Sequence, residues 1–160
     1  RRLDVAMHDA LARSMGQSGR GLLHDSPHGP FVKHSAAAKQ LADINVTLHC
    51  CGGVRELLDD LIEAGLDGIN PVQITARGMA PGGLKDDFGR KIVFWGGGCD
   101  TRNVLPQGTP DEVRRHVLET VPIMNEGGGF VFQQVHNIMA DVPPENIVAM
   151  FDAVNELRTQ

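Results

Sequence analysis

Four times between residues 45 and 157 the chain passes from a short apolar run, rich in β-branched residues, to a helical pattern. "NVTLHC" (45–50) leads into "VRELLDDLIEAG" (54–65), where Val54, Leu57, Leu58, Leu61 and Ile62 recur at helical spacing and Gly65 stops the helix. "DGINP" (67–71) is a second strand, followed by a short helix in "GGLKDDFG" (82–89). "KIVFWGGG" (91–98) is a third strand. Its helix, "TPDEVRRHVLETVPIMNEGG" (109–128), opens with Thr109 at the N-cap, Pro110 at N1 and Glu112 at N3, a capping box. Pro122 is expected to kink or end it late. "GFVFQQV" (129–135) and "PPENIVAMFDAVNEL" (143–157) complete the series.

Alternation of this kind, with short connections, predicts a parallel sheet covered by helices. The strands are apolar at both parities, as in sheets buried on both faces. Each repeat is about 25–30 residues long, the size of a βα unit in a (β/α)8 TIM-type barrel. The fold class is therefore α/β, with this chain supplying four units, the C-terminal half of such a barrel. Half a barrel leaves two raw sheet edges, so an N-terminal half is expected to be missing. The opening on Arg1 rather than Met agrees with a fragment. A helix over 3–15 and a Gly/Pro/His-rich loop over 16–30 precede a helix over 31–42. Residues 1–29 form an N-terminal extension, and 30–160 the barrel part.

Composition narrows the function classes. The formal net charge of −5 argues against nucleic-acid or anionic-membrane binding, both of which need a basic face. No apolar run approaches the ~20 residues of a membrane span, and the N-terminus lacks the apolar core of a secretory signal. Three cysteines, two of them adjacent, cannot make a disulfide framework, which points to a reducing, cytoplasmic setting.

Function in parallel α/β folds collects at the C-terminal ends of strands. Those windows hold His49, Cys50, Cys51, Gly52 and Gly53; then Asn70, Pro71 and Gln73; then Gly96, Gly97, Gly98, Cys99, Asp100 and Thr101; then Gln133, Gln134, His136 and Asn137. All three cysteines fall there, and the opposite strand ends carry no such chemistry. His49 and Cys51 are alternate strand residues, so both can point the same way and share a zinc ion. Cys99 and His136 are the candidates for a third ligand. The plainer alternative makes Cys50 and Cys51 small buried hydrophobes and gives His49 a backbone partner. The glycines 96–98 either permit a sharp turn or admit a large planar or anionic ligand; with Cys99 and Asp100 following at once, the ligand is favoured. Asp100 is a site carboxylate or the cap of an Asx turn. His136 is a general acid, a ligand or a packing residue. His8, His24, His28, His34 and His116 read as surface or loop residues, and Trp95 as core. Glu56, Asp59, Asp60 and Glu63 form a solvated helix face. "GGGCD" lacks the Gly-Lys-Ser/Thr ending of a P-loop, and there is no G-x-S-x-G elbow.

"LHCCGGV", "LIEAGLDGINPVQ", "FWGGGCDTRNVLPQGTPDEVRRHV" and "GGGFVFQQVHNIMADVPPENIVAMFDAV" together resemble the C-terminal half of the uroporphyrinogen decarboxylase superfamily, nearest its cobalamin-dependent methyltransferase branch. The resemblance runs from about Pro30 to about Glu156. It implies a (β/α)8 barrel with its site at the C-terminal mouth. In the methyltransferase branch, zinc held by a His-x-Cys pair and a later cysteine activates a thiol that accepts a methyl group. The donor is a methylated corrinoid (cobalamin) on a partner protein, or a small-molecule methyl donor. His49 and Cys51 match the pair. The later cysteine follows the last strand in relatives, where this chain has His136, leaving Cys99 as substitute ligand or neighbour. His136 and Asp100 are the catalytic candidates, with substrate over Gly96, Gly97 and Gly98 beside Asn70 and Gln73. Relatives often read Asp-Thr-Gln where this chain has Asp100-Thr101-Arg102. In true decarboxylases a histidine near the last strand touches the porphyrinogen, and His136 stands near that place, while the signature arginines and aspartate belong to the N-terminal half.

The expected function is thus a zinc-dependent methyltransferase working between a corrinoid and a thiol. The rivals are a metal-free uroporphyrinogen decarboxylase, a non-catalytic corrinoid-binding module and an inert remnant. A homo-oligomer is compatible with each.

Overall fold

The computed structural model describes residues 38–159. The expected helix 3–15, the loop 16–30 and most of the helix 31–42 lie outside them; residues 38–41 are helical. Four parallel strands follow in chain order, β1 (Thr47–His49), β2 (Gly68–Asn70), β3 (Val93–Trp95) and β4 (Phe130–Val131). Thr47 pairs with Gly68, Gly68 with Val93, and Phe94 with Phe130. The fold is α/β, a parallel four-stranded sheet alternating with helices, as in part of a TIM barrel.

The helices are α1 (Leu58–Glu63), entered through a 3-10 turn at Arg55–Leu57, α2 (Pro81–Phe88), α3 (Val104–Gln107), α4 (Pro110–Asn125) and α5 (Pro144–Arg158). The box at the start of α4 is formed: Glu112 N–H donates to Thr109 Oγ1 at 3.3 Å and Thr109 N–H donates to Glu112 Oε2 at 2.7 Å. Those bonds to Thr109 hold the Glu112 carboxyl below its ordinary range. Pro122 does not end α4, which runs on to Asn125. Helix α3 has no counterpart in the sequence reading. Its four residues are too few to show a period.

Leu48, Ile69 and Phe94 occupy the central or facing positions of β1, β2 and β3 and are buried with Val54, Leu58, Leu84 and Met124. A second apolar cluster joins α3, α4 and α5 around Leu105, Val113, Val117 and Met150. Phe130 packs on both clusters. Each fully buried Leu, Ile, Phe or Met here is worth about 1.5–3 kcal/mol relative to exposure.

Burial on both sheet faces is not what the described residues show. Thr47, His49, Val93, Trp95 and Val131, at the alternate positions, are exposed. Trp95, read as core, is 44% exposed. In a closed barrel the helices cover the outside, so this open face is the one that such a barrel turns inward.

Candidate functional site

The mouth is built from the residue that ends each strand. In a parallel sheet these residues stand side by side. Cys50 N–H donates to Asn70 O at 2.8 Å, carrying the β1–β2 ladder to the mouth. There the side chain of Asn70 joins three strands. Its Oδ1 lies 3.0 Å from His49 Nδ1. Its Nδ2 donates to Trp95 O at 3.2 Å and to Gln133 Oε1 at 3.1 Å. Gln133 follows β4, so one amide links the ends of β1, β2, β3 and the β4 segment. Gln133 was visible in the sequence only as one of several polar residues after the fourth strand.

His49 and Cys51 are both exposed, and Cys50 is half-buried. Burial pushes the Cys50 thiol up, with the Cys51 charge adding to it. The imidazole has a side-chain partner, Asn70, rather than the backbone partner considered from sequence. Asn70 and Gln73 are half-buried, and His136 and Asn137 are exposed on the loop after β4.

Cys99 stands apart from the mouth. It is wholly buried in the second apolar cluster with Leu105, Val113 and Val117. Burial, reinforced by the Asp100 charge, pushes its thiol up to about 12. Among the described residues no group of three or more His, Cys, Asp or Glu side chains is placed to hold a metal ion, so His49, Cys51 and Cys99 do not form one site.

Gly96, Gly97 and Gly98 are buried, and the space beside each is filled by protein. A Cβ at Gly96 would lie 3.3 Å from Gln134 O and Pro71 Cα, and one at Gly97 3.0 Å from Val72 Cβ. Gly98 meets the Phe132 ring. The triplet lets the β3 loop nest between the loops after β2 and β4; an open ligand cradle is not what these glycines form.

Asp100 is buried and caps its own turn. Its Oδ1 accepts from Arg102 N–H and its Oδ2 from Asn103 Nδ2, both at 2.8 Å, which is the Asx alternative. The Asp100 N–H donates to His116 Nε2 at 3.1 Å. His116, read as a surface or loop residue, is therefore a half-buried anchor from α4, and burial lowers its pKa from the ordinary value. A basic residue on the polar flank of a helix gives no sequence signal of such a contact. Asn146 on α5 is another unforeseen tie, donating to Leu105 O at 2.9 Å and Gly108 O at 2.8 Å at the end of α3.

A parallel sheet with helices on one face and polar side chains gathered at its C-terminal mouth defines part of a (β/α) barrel. The chain belongs to the uroporphyrinogen decarboxylase (URO-D) family, whose model matches residues 29–157. It is 43% identical over 49 residues to the uroporphyrinogen decarboxylase of Psychromonas ingrahamii, covering 31% of this chain and 14% of that protein. It is 29% identical over 117 residues to that of Alkalilimnicola ehrlichii, covering 71% and 29%. A solved methyltransferase from Methanosarcina mazei superposes with a TM-score of 0.61 at 20% identity, covering 80% of this chain and 34% of that one; at that identity the likeness is one of fold. The chain thus spans about a third or less of the length of the proteins it matches. Among the described residues no helix is long and apolar enough to cross a membrane.

Proposed function

We propose that this chain carries the mouth of a URO-D-family methyltransferase that moves a methyl group between a corrinoid and a thiol, with His49 and Cys51 as zinc ligands. The observation that supports this is the bond between His49 and Asn70. A metal-binding histidine characteristically gives its other ring N–H to an oxygen, and His49 has such an oxygen in Asn70 Oδ1 at 3.0 Å. The donor set fits zinc in part. An imidazole and an exposed thiol suit it, whereas buried Cys99 does not, leaving the third ligand to His136 or to residues beyond those described. Zinc, when bound, would supply a Lewis acid that lowers the pKa of an incoming thiol. The chain's own part is to hold the imidazole through Asn70 and to leave the Cys51 thiol exposed two residues further on. A methylated corrinoid on a partner protein is the donor in this reading, and the protein works in the cytoplasm.

A second reading is favoured by the names of the two curated relatives: decarboxylation of a tetrapyrrole, with no metal and with His136 contacting the substrate. Elemental analysis of the purified chain, wild type beside His49→Ala and Cys51→Ala, separates the two. Stoichiometric zinc lost in both variants, with methyl transfer from methylcobalamin to thiols, is expected. A folded, zinc-supplemented chain without zinc would overturn the methyltransferase reading and direct the assay to uroporphyrinogen.

A further inference from the structure

We propose that Asn70 is the positioning residue of the mouth: it locks His49 into the tautomer protonated on Nδ1 and thereby presents the Nε2 lone pair as the ligating atom. This rests on the zinc reading only for the identity of what Nε2 binds; the tautomer follows from the hydrogen bonds alone.

The argument starts from valence. A primary amide has two N–H donors and one acceptor oxygen. Both donors of Asn70 are committed, one to the main-chain carbonyl of Trp95 at 3.2 Å, which can only accept, the other to Gln133 Oε1 at 3.1 Å. Turning the amide over would set Oδ1 against the Trp95 carbonyl and lose that bond, at about 0.5–1.5 kcal/mol before repulsion, even where the Gln133 amide turned with it. The orientation is thereby fixed, and Oδ1 faces His49. At 3.0 Å from an oxygen that can only accept, Nδ1 must carry the hydrogen. A neutral imidazole protonated at Nδ1 has its free pair at Nε2. No described residue bonds to Nε2, and the ring is exposed. His49, Asn70 and Trp95 each end a strand, β1, β2 and β3, so the bonds that orient the amide and the ring join strand ends of one sheet.

The lock depends on geometry that sequence spacing cannot show. Asn70 reaches residues 21 positions before it and 63 positions after it. Without it, nothing among the described residues chooses between the two ring nitrogens, and half of a metal's approach geometry would have to be selected on binding. Loss of an outer partner of a ligating histidine typically weakens metal binding by about 10–100-fold.

The test is long-range 1H–15N NMR of the full chain labelled at histidine, at a pH where the ring is neutral, with the His49 signals assigned by His49→Gln. Wild type is expected to show a pyrrole-type Nδ1 and a pyridine-type Nε2. Gln133→Ala is expected to keep that pattern, because Trp95 O still orients the amide. Asn70→Ala is expected to lose it and to weaken binding of Zn2+ alone, followed at Nε2, by about 10–100-fold. A wild-type ring protonated at Nε2 overturns the proposal even if Asn70→Ala fails to fold. So does an Asn70→Ala protein with unchanged tautomer and zinc affinity. A wild type with the expected tautomer that binds no Zn2+ refutes the zinc reading and leaves the role of Asn70 standing.

Discussion

Replacing Gly98 by alanine places one methyl group where the Phe132 ring already lies. The new Cβ would be 2.4 Å from Phe132 Cε2 and 2.5 Å from Cδ2, with Gln133 O at 3.3 Å. Carbon atoms pack best at about 3.5–4.0 Å, so the ring must move by roughly 1 Å or more. It is not free to do so without loss, since it packs edge-to-face on Phe151 with centroids 6.3 Å apart. Overpacking of this kind costs about 1–3 kcal/mol. The backbone of Gly98 is not among the glycines with positive φ, so alanine also stabilises by about 0.4–1 kcal/mol through the unfolded chain. The net expectation is a loss of about 1–2 kcal/mol, or about 2–8 °C in Tm for a domain of this size. Denaturant melts read it. The stronger form of the prediction is a change of sign. With Phe132→Ala the obstructing ring is gone, only the unfolded-state effect remains, and Gly98→Ala should become neutral to stabilising. An equal penalty in both backgrounds, or none in the wild type, would refute the packing account of the glycine triplet and return it to a ligand role.

The thiols should react with an aromatic disulfide reagent in order of exposure, Cys51 before half-buried Cys50, and Cys99 only on unfolding; early labelling of Cys99 would contradict its burial. His116 holds a proton less readily folded than unfolded, because burial lowers its pKa from 6.5. Its contribution to stability is therefore complete above that value and declines as pH falls through and below it; His116→Gln, which can still accept from the Asp100 N–H, should flatten that part of a Tm-against-pH curve. Asn146→Ala strands the carbonyls of Leu105 and Gly108 and should lose about 2–3 kcal/mol, with Asn146→Asp losing more at neutral pH, as measured by chemical denaturation. Thr109→Ala should lose about 1 kcal/mol through its cap, and an unchanged melting curve would show the cap to be idle.

What could be read from the chain was what repeats or what has a local grammar. The order of strands and helices from residue 45 onward follows from alternation of period, and Thr109, Pro110 and Glu112 announce a helix start within four positions. What escaped depends on contacts between distant positions. Helix α3 is one turn long and has no period to detect. Trp95 looks like core because it is large and lies in a strand, yet the alternation of strand side chains places it opposite the helices. Glycines 96–98 advertise close approach but not of what, and the partner turned out to be protein. Cys99 and Asp100 share a strand-end window with the mouth residues, but the first turns into the helical core and the second closes its own turn. Proximity in sequence to a functional end of a sheet is not the same as facing it. His49 and Asn70 do face it, because each is the last residue of its strand and both fall on the open side.

The open side also gives the protein an optical property. The chain has one tryptophan and no tyrosine, so its near-ultraviolet emission comes from a single indole. That indole is 44% exposed on the open face, and the carbonyl of the same residue holds the amide of Asn70. Whatever covers the face, be it polypeptide, corrinoid or tetrapyrrole, displaces water from that one ring and shifts its emission to shorter wavelength, or quenches it by energy transfer when the cover is coloured. Occupancy of the mouth can therefore be followed in the unmodified protein, without a label and without a substrate that turns over.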